Sequence, residues 1–527
     1  MSTDTTDLTH PQTTPRFGGR AHRDGGPLVA RPRTFDLSDG LVVALFCGLA
    51  VVCYGELWAR GLGHVYLYQN DAVQTMWFLS WIPYALGHGL NPLHSALVNV
   101  PHGINLLDQT SSPLLGFLLS PITVLFGPTA AFNLGETVAL AGSATSMYFV
   151  VRRFVRWRPA AFVAGLLYGF GPYEIGQGTA HLNLSFCVLP PIILLLVHEI
   201  AVRSGHHARR RGIALGLLVV AQFFVSTEVL VTTAMAGLLV AVVIAVRGRH
   251  HLKDRLRDAA LGFGWALGIA VVVLAYPAWY ALAGPEHVNG PLQMTALYRA
   301  DLLGPIAPDG LIRIAPASFA NMANLFAGNW SENGSYLGIP LLIVLLSGAV
   351  WLRRQAAAQV AAVVGVVFFV CSLGARLVVR SAPMATATGA PTGGVPLPWD
   401  LVSRLPVFRN ILPARFSLYV AMASALLLAV IVDRLRSGTD EPGPVRAIGA
   451  PAAVAVLALI PLIPAVPYDF ARPVPISTYF GSPLAARLPA GQVALLYPYP
   501  SAATPAGALW QIQANMRFSF PGGYYLV

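Results

Sequence analysis

The sequence predicts an all-α polytopic membrane protein of about 11 transmembrane helices, with 12 as the alternative count, on three observations. Hydrophobic residues make up 55% of the 527 and charged residues only 11%, a balance outside that of soluble globular domains. Apolar runs near the ~20 residues needed to cross a hydrocarbon core recur along the chain. Basic residues cluster in short stretches between those runs, as cytoplasmic loops require.

The first 37 residues are polar and rich in Thr, Pro, Gly and Arg. They lack the apolar core and small-residue cleavage site of a signal peptide, and read as a disordered cytoplasmic tail. Candidate spans follow at 39–57, 131–151, 159–173, 184–202, 212–227, 229–246, 259–283, 336–352, 357–374, 413–433 and 447–466. Gly212 to Val246 is too long for one crossing, and Ser226-Thr227-Glu228 supplies a polar turn that divides it. Segment 111–127 is ambiguous. If it crosses, Arg152, Arg153, Arg156 and Arg158 move outside and every later loop inverts; if it only dips, the alternation holds. With the N-terminus inside and 11 spans, 23 of the 34 basic residues lie on cytoplasmic segments.

The transmembrane domain is therefore expected over 38–466 of a multi-pass cell-membrane protein, with 58–110, 284–335 and 375–412 outside. The extracytoplasmic segment 467–527 reads as a small α/β element, a short helix over Pro483–Leu488 and a strand over Val493–Tyr497. It holds too little for a core of its own and is expected to pack on the membrane part.

The net charge of +11 is scattered in short clusters, which excludes a nucleic-acid-binding face. Cys47, Cys53, Cys187 and Cys371 lie in apolar segments without CxxC spacing, so neither a disulfide framework nor a structural zinc site is expected. The loop histidines and carboxylates show no ligand spacing, and no metal is assigned; a divalent cation stays open as a cofactor.

The richest chemistry lies in the first outer loop. Asp71, Gln74, Phe78 and Trp81 recur at offsets of three, four and three, so a helix puts them on one face with the acid at its N-terminal end. With Trp77 they suit the membrane interface, where two short helices are expected. Asp71 either meets a lipid-borne substrate there or caps its helix. In the short segment Gly171–Asn183, Glu174 and His181 converge near the membrane surface; they bind a polar substrate, or the glycines simply make the turn. Glu228 stands at the outer end of the next hairpin. Arg415, at the start of the tenth span, either holds a lipid phosphate through paired hydrogen bonds or snorkels to the headgroups. Arg409 is the less buried alternative.

Together these features resemble the C-type glycosyltransferase superfamily, the integral membrane enzymes that use polyprenyl-phosphate sugar donors. The resemblance covers most of residues 38–435. It rests on Asp71 with Trp77 and Trp81, Gly89-Leu90-Asn91-Pro92, Tyr168-Gly169-Phe170-Gly171-Pro172-Tyr173, His181-Leu182, Tyr336-Leu337-Gly338 and Pro413-Ala414-Arg415-Phe416. It implies a polyprenyl-phosphate sugar as donor, an extracytoplasmic glycan, lipid or protein as acceptor, and Asp71 as the base on the acceptor hydroxyl. Two departures stand beside it: many members carry a second adjacent acid in the first loop and a large soluble C-terminal domain, and this sequence shows neither clearly. The rival expectation is a transporter or flippase, which needs acids at mid-membrane; Glu136 is the clear candidate.

Overall fold

The computed structural model describes residues 35–67, 69–203, 207–290, 292–379, 394–437 and 444–526. The expected tail over 1–37 lies almost wholly outside them. Among the described residues, five helices are long and apolar enough to cross a membrane: Pro128–Val151, Leu182–Val202, Thr227–Arg247, Arg255–Ala283 and Pro413–Ser437. Shorter apolar helices cover Leu37–Cys53, Ile339–Trp351, Ala356–Ser372 and Ile448–Leu462. The protein is a helical membrane protein. The ambiguous stretch forms two short helices, Pro113–Leu118 and Ser120–Phe126, and neither is long enough to cross alone.

Helices pack where the sequence puts small residues. Arg158–Gly169 lies against Pro128–Val151 through Gly165 and Gly169. A Cβ on Gly169 would stand 2.5 Å from the Ala144 backbone nitrogen, and one on Gly165 would stand 2.8 Å from the Ala144 carbonyl oxygen. Backbones approach closely only because those side chains are missing. Leu37–Cys53 opens with a capping box between Asp36 and Asp39. Asp39 also pairs with Arg152 and accepts the Tyr148 hydroxyl at 2.6 Å, which fixes this helix to the end of Pro128–Val151.

The first loop differs from expectation. In place of two short interfacial helices, one 18-residue helix runs Asn70–Gly87. Every residue from Ala72 to Leu79, including Gln74 and Thr75, is buried, and Pro83 falls within the helix's last turns. Beyond Gly87 the chain meets Gly89, Pro92, Pro101 and Gly103 and forms turns and a small hairpin, His94–Ser95 with Ile104–Asn105.

The segment after 467 is stitched to this loop. Ala471–Pro473 pairs antiparallel with Val65–Leu67, and Phe518–Ser519 pairs parallel with Gln492–Val493. Between them stand a 3-10 turn, Pro483–Arg487, and a helix, Ala506–Gln513. Leu509, Met516, Phe518 and Phe520 share one apolar cluster with Val73, Met76, Trp77 and Ile82.

Gly169→Ala is expected to destabilise the fold by about 1–3 kcal/mol through overpacking against backbone, read as a lower melting temperature in detergent. Gly264→Ala, where a new Cβ meets nothing within 4 Å, should leave melting unchanged; equal effects would contradict the packing account.

Candidate active site

Asp71 lies in the first turn of Asn70–Gly87, where the helix dipole favours a negative charge. The residue before the helix, Gln69, makes no side-chain cap, and the Asp71 carboxylate is turned to other partners. Its Oδ1 accepts the Tyr524 hydroxyl at 2.9 Å, and its Oδ2 lies 3.6 Å from His181 Nε2. Burial pushes the carboxyl up, but His181 and the Tyr524 hydroxyl outweigh it and hold the group below the usual range. With 31% of its side chain exposed, Asp71 is an ionised carboxylate within reach of a ligand.

His181 is brought there by a tight segment. The Pro172–Gln177 helix ends in a turn in which the His181 N–H donates to the Gln177 carbonyl at 2.9 Å. Tyr54 donates to the Gly178 carbonyl at 2.7 Å. A Cβ on Gly178 would stand 2.6 Å from that same phenol oxygen, so glycine is required by close approach.

On the other side of this segment, Arg415 sits in a 3-10 turn, Pro413–Phe416, just before Ser417–Ser437. Its Nε donates to both oxygens of Glu332 at 3.1 Å, and Nη2 donates to Glu332 Oε1 at 2.5 Å. Nη1 pairs with Glu228. Each carboxylate has a further donor: Gln177 Nε2 to Glu332 at 3.2 Å and the Leu412 N–H to Glu228 at 2.9 Å. Burial raises the Glu332 carboxyl, yet Arg415 overrides it and holds the group ionised.

The two halves adjoin. Gln177 and His181 belong to one segment, and both act electrostatically on Glu332. Tyr298 feels Glu332, Asp71 and Arg415 together. Asp71 with His181, and Arg415 with Glu332 and Glu228, are therefore two ionic clusters joined through the one segment that carries both Gln177 and His181.

Other expected site residues stand elsewhere. Trp77 and Trp81 are stacked with ring centroids 5.8 Å apart and are 0% and 2% exposed. Their indole N–H groups donate to Gln511 at 2.6 Å and to the Pro92 carbonyl at 3.2 Å, so both rings are packed inside the protein. Gln74 holds the Tyr524 carbonyl and accepts from Thr110 at 3.1 Å. Glu174, 1% exposed, turns toward Cys187 and Glu136, and burial pushes it well above the usual range. Arg409 is exposed. Glu332, Gln177, Tyr298 and Tyr524 are the members of the group that sequence reasoning missed. Only Gln177 carried a signal, its place in the crowded Gly171–Asn183 segment. Among the described residues no three His, Cys, Asp or Glu side chains gather as ligands for a metal ion.

No curated protein matches the chain. Among solved structures it is similar to the arabinofuranosyltransferase AftD from Mycobacteria, at 14% identity and a TM-score of 0.48 over 95% of this chain and 32% of that one. It is also similar to the oligosaccharyltransferase AglB from Archaeoglobus fulgidus in complex with an inhibitory peptide and a dolichol-phosphate. There the identity is 12% and the TM-score 0.46, over 93% of this chain and 65% of that one. The apo archaeal enzyme gives 12%, 0.41, 80% and 55% in the same order. The chain thus spans roughly half to two thirds of the archaeal enzyme and about a third of the mycobacterial one. Residues 42–460 match the family described as a domain of unknown function, DUF6311, and the chain belongs to that family.

Proposed function

We propose that the chain is a membrane glycosyltransferase that moves a sugar from a polyprenyl-phosphate donor to an extracytoplasmic glycan, lipid or protein acceptor. The observation that supports it most is that a reachable, ionised carboxylate, Asp71, and the Glu332 that holds a buried guanidinium, Arg415, both meet one short segment, the first through His181 and the second through Gln177. Sugar transfer from a lipid phosphate needs those two functions side by side. The acceptor hydroxyl gives its proton to Asp71 as its oxygen attacks the anomeric carbon. The bond from that carbon to the phosphate oxygen breaks, and its electron pair leaves on the phosphate.

Arg415 is the group that meets the departing charge. Of its five N–H donors, the bonds to Glu332 and Glu228 use one on each nitrogen. That leaves one N–H on each terminal nitrogen for a phosphate oxygen. One guanidinium between two carboxylates has no net positive charge, so Arg415 would meet a phosphate through these remaining N–H donors rather than through net charge. Glu136, the acid that favoured transport, bonds the Ser185 hydroxyl at 2.6 Å, a tie between helices that needs no cargo to explain it.

Asp71→Asn is expected to cut transfer from a synthetic polyprenyl-phosphate pentose or hexose at least ~100-fold in proteoliposomes, with melting unchanged. Near-normal transfer by this variant sinks the assignment of the base. Arg415→Lys keeps the charge and loses the planar fork. It should raise the donor KM and, by loosening a buried ion group, lower the melting temperature; an unaltered donor KM would remove Arg415 from the phosphate site.

A further inference from the structure

Tyr524 reaches Asp71 from 453 positions away in sequence, and the chain around it is tied down on both sides. Upstream, the Phe520 N–H donates to the Leu97 carbonyl at 3.1 Å, and the Val100 and Asn99 N–H groups donate back to Phe520 and Gly522 at 3.3 and 3.1 Å. Gly522 and Gly523 then turn the chain at φ of +75° and +125°, a region that favours glycine. A Cβ on Gly522 would stand 2.6 Å from the Tyr499 phenol oxygen, and one on Gly523 would stand 2.3 Å from the Tyr525 ring.

Downstream, Gln109 and Leu526 exchange two hydrogen bonds, of 2.6 and 2.8 Å. Tyr525 packs edge-on against Trp77 with centroids 5.3 Å apart. Gln74, one turn beyond Asp71, holds the Tyr524 carbonyl itself. Residues 518–526 thus form a strap held at its start by Gln492–Val493 and Gln511 and from Phe520 onward chiefly by the first loop, and its phenol on a carboxylate is the one on Asp71.

We infer that Tyr524 is a positioning residue for Asp71: its hydroxyl fixes one carboxylate oxygen, so that the other, beside His181, is presented to the acceptor. This rests on the reading of Asp71 as the base. Free rotation of a partly exposed carboxylate would spread its lone pairs over many directions, and a donor locked from behind removes that freedom. The titratable groups facing Asp71 are His181 from the 172–185 segment, Tyr524 from the strap and Tyr298 from the long loop, with Glu332 and Arg415 behind them.

A hydrogen bond donated to the ionised form favours ionisation, so its removal raises the carboxyl midpoint. A base works only when ionised, and its rate is lost as pH falls through that midpoint. Removing the hydroxyl therefore moves the acid limb of transfer to higher pH.

The test uses the full chain in lipid nanodiscs with 13C-carboxyl aspartate, the Asp71 resonance being identified by its loss in Asp71→Asn. In Tyr524→Phe its titration midpoint should rise by about one pH unit. Tyr525→Phe removes a buried hydroxyl that has no hydrogen-bond partner among the described residues and should leave the midpoint in place. An unmoved midpoint in Tyr524→Phe, or equal shifts in both variants, overturns the positioning role. The resonance is read without substrate, whereas the base reading stands or falls on transfer by Asp71→Asn, so the two failures are distinguishable.

Discussion

The buried guanidinium of Arg415, clasped by Glu332 and Glu228, is the constraint on which the candidate site depends. Removing three charges from water costs several kcal/mol per ion, and only close geometry with further hydrogen bonds offsets that cost. The protein supplies those bonds from Gln177 and from the Leu412 backbone. The consequence is positional. Three elements distant in sequence, the start of Thr227–Arg247, the loop at 329–335 and the turn before Ser417–Ser437, must meet at one point. That loop presses its Gly334 onto Tyr173, and Gly176 lies against Ser331, so the segment carrying His181 is fixed by the same meeting.

Asp71 is fixed from the opposite direction. Its helix is braced by the segment after 467, through the Val65–Leu67 pairing with Ala471–Pro473 and the Trp77 bond to Gln511. Gln511 in turn donates to the Leu97 and Phe518 carbonyls at 3.0 and 2.6 Å. One amide therefore joins the Asn70–Gly87 helix, the loop after it and the strap that brings Tyr524. The carboxylate stands where a brace built from the first loop and the downstream segment meets a wall built from the membrane helices.

Much of the architecture was legible because membrane helices announce themselves in composition: the apolar runs, the basic clusters and the polar break at Ser226-Thr227-Glu228 are local signals. Asp71, His181, Glu228 and Arg415 were legible too, as polar residues at the ends of apolar runs. Their partners were not. Glu332 sits in a loop with three other acids and no distinguishing neighbour, and its choice of Arg415 is a tertiary fact. Tyr524 and Gln511 act across more than 400 positions, a separation at which no periodicity carries information. The 3-4-3 spacing put Asp71, Gln74, Phe78 and Trp81 on one face and set the tryptophans at a half-wet membrane interface; spacing tells which residues share a side, not whether membrane, ligand or protein covers it. Here the protein covers Trp77 and Trp81, and the acid at the end of the face stays accessible.

Where a lipid phosphate binds tests the central claim most directly. A cryo-EM structure of the chain in nanodiscs with a long-chain polyprenyl phosphate should place phosphate oxygens about 2.7–2.9 Å from Arg415 nitrogens, with Asp71 and His181 facing the same cavity. Phosphate density on another face, with the Arg415 to Glu228 and Glu332 bonds undisturbed and Asp71 remote from it, would contradict the account.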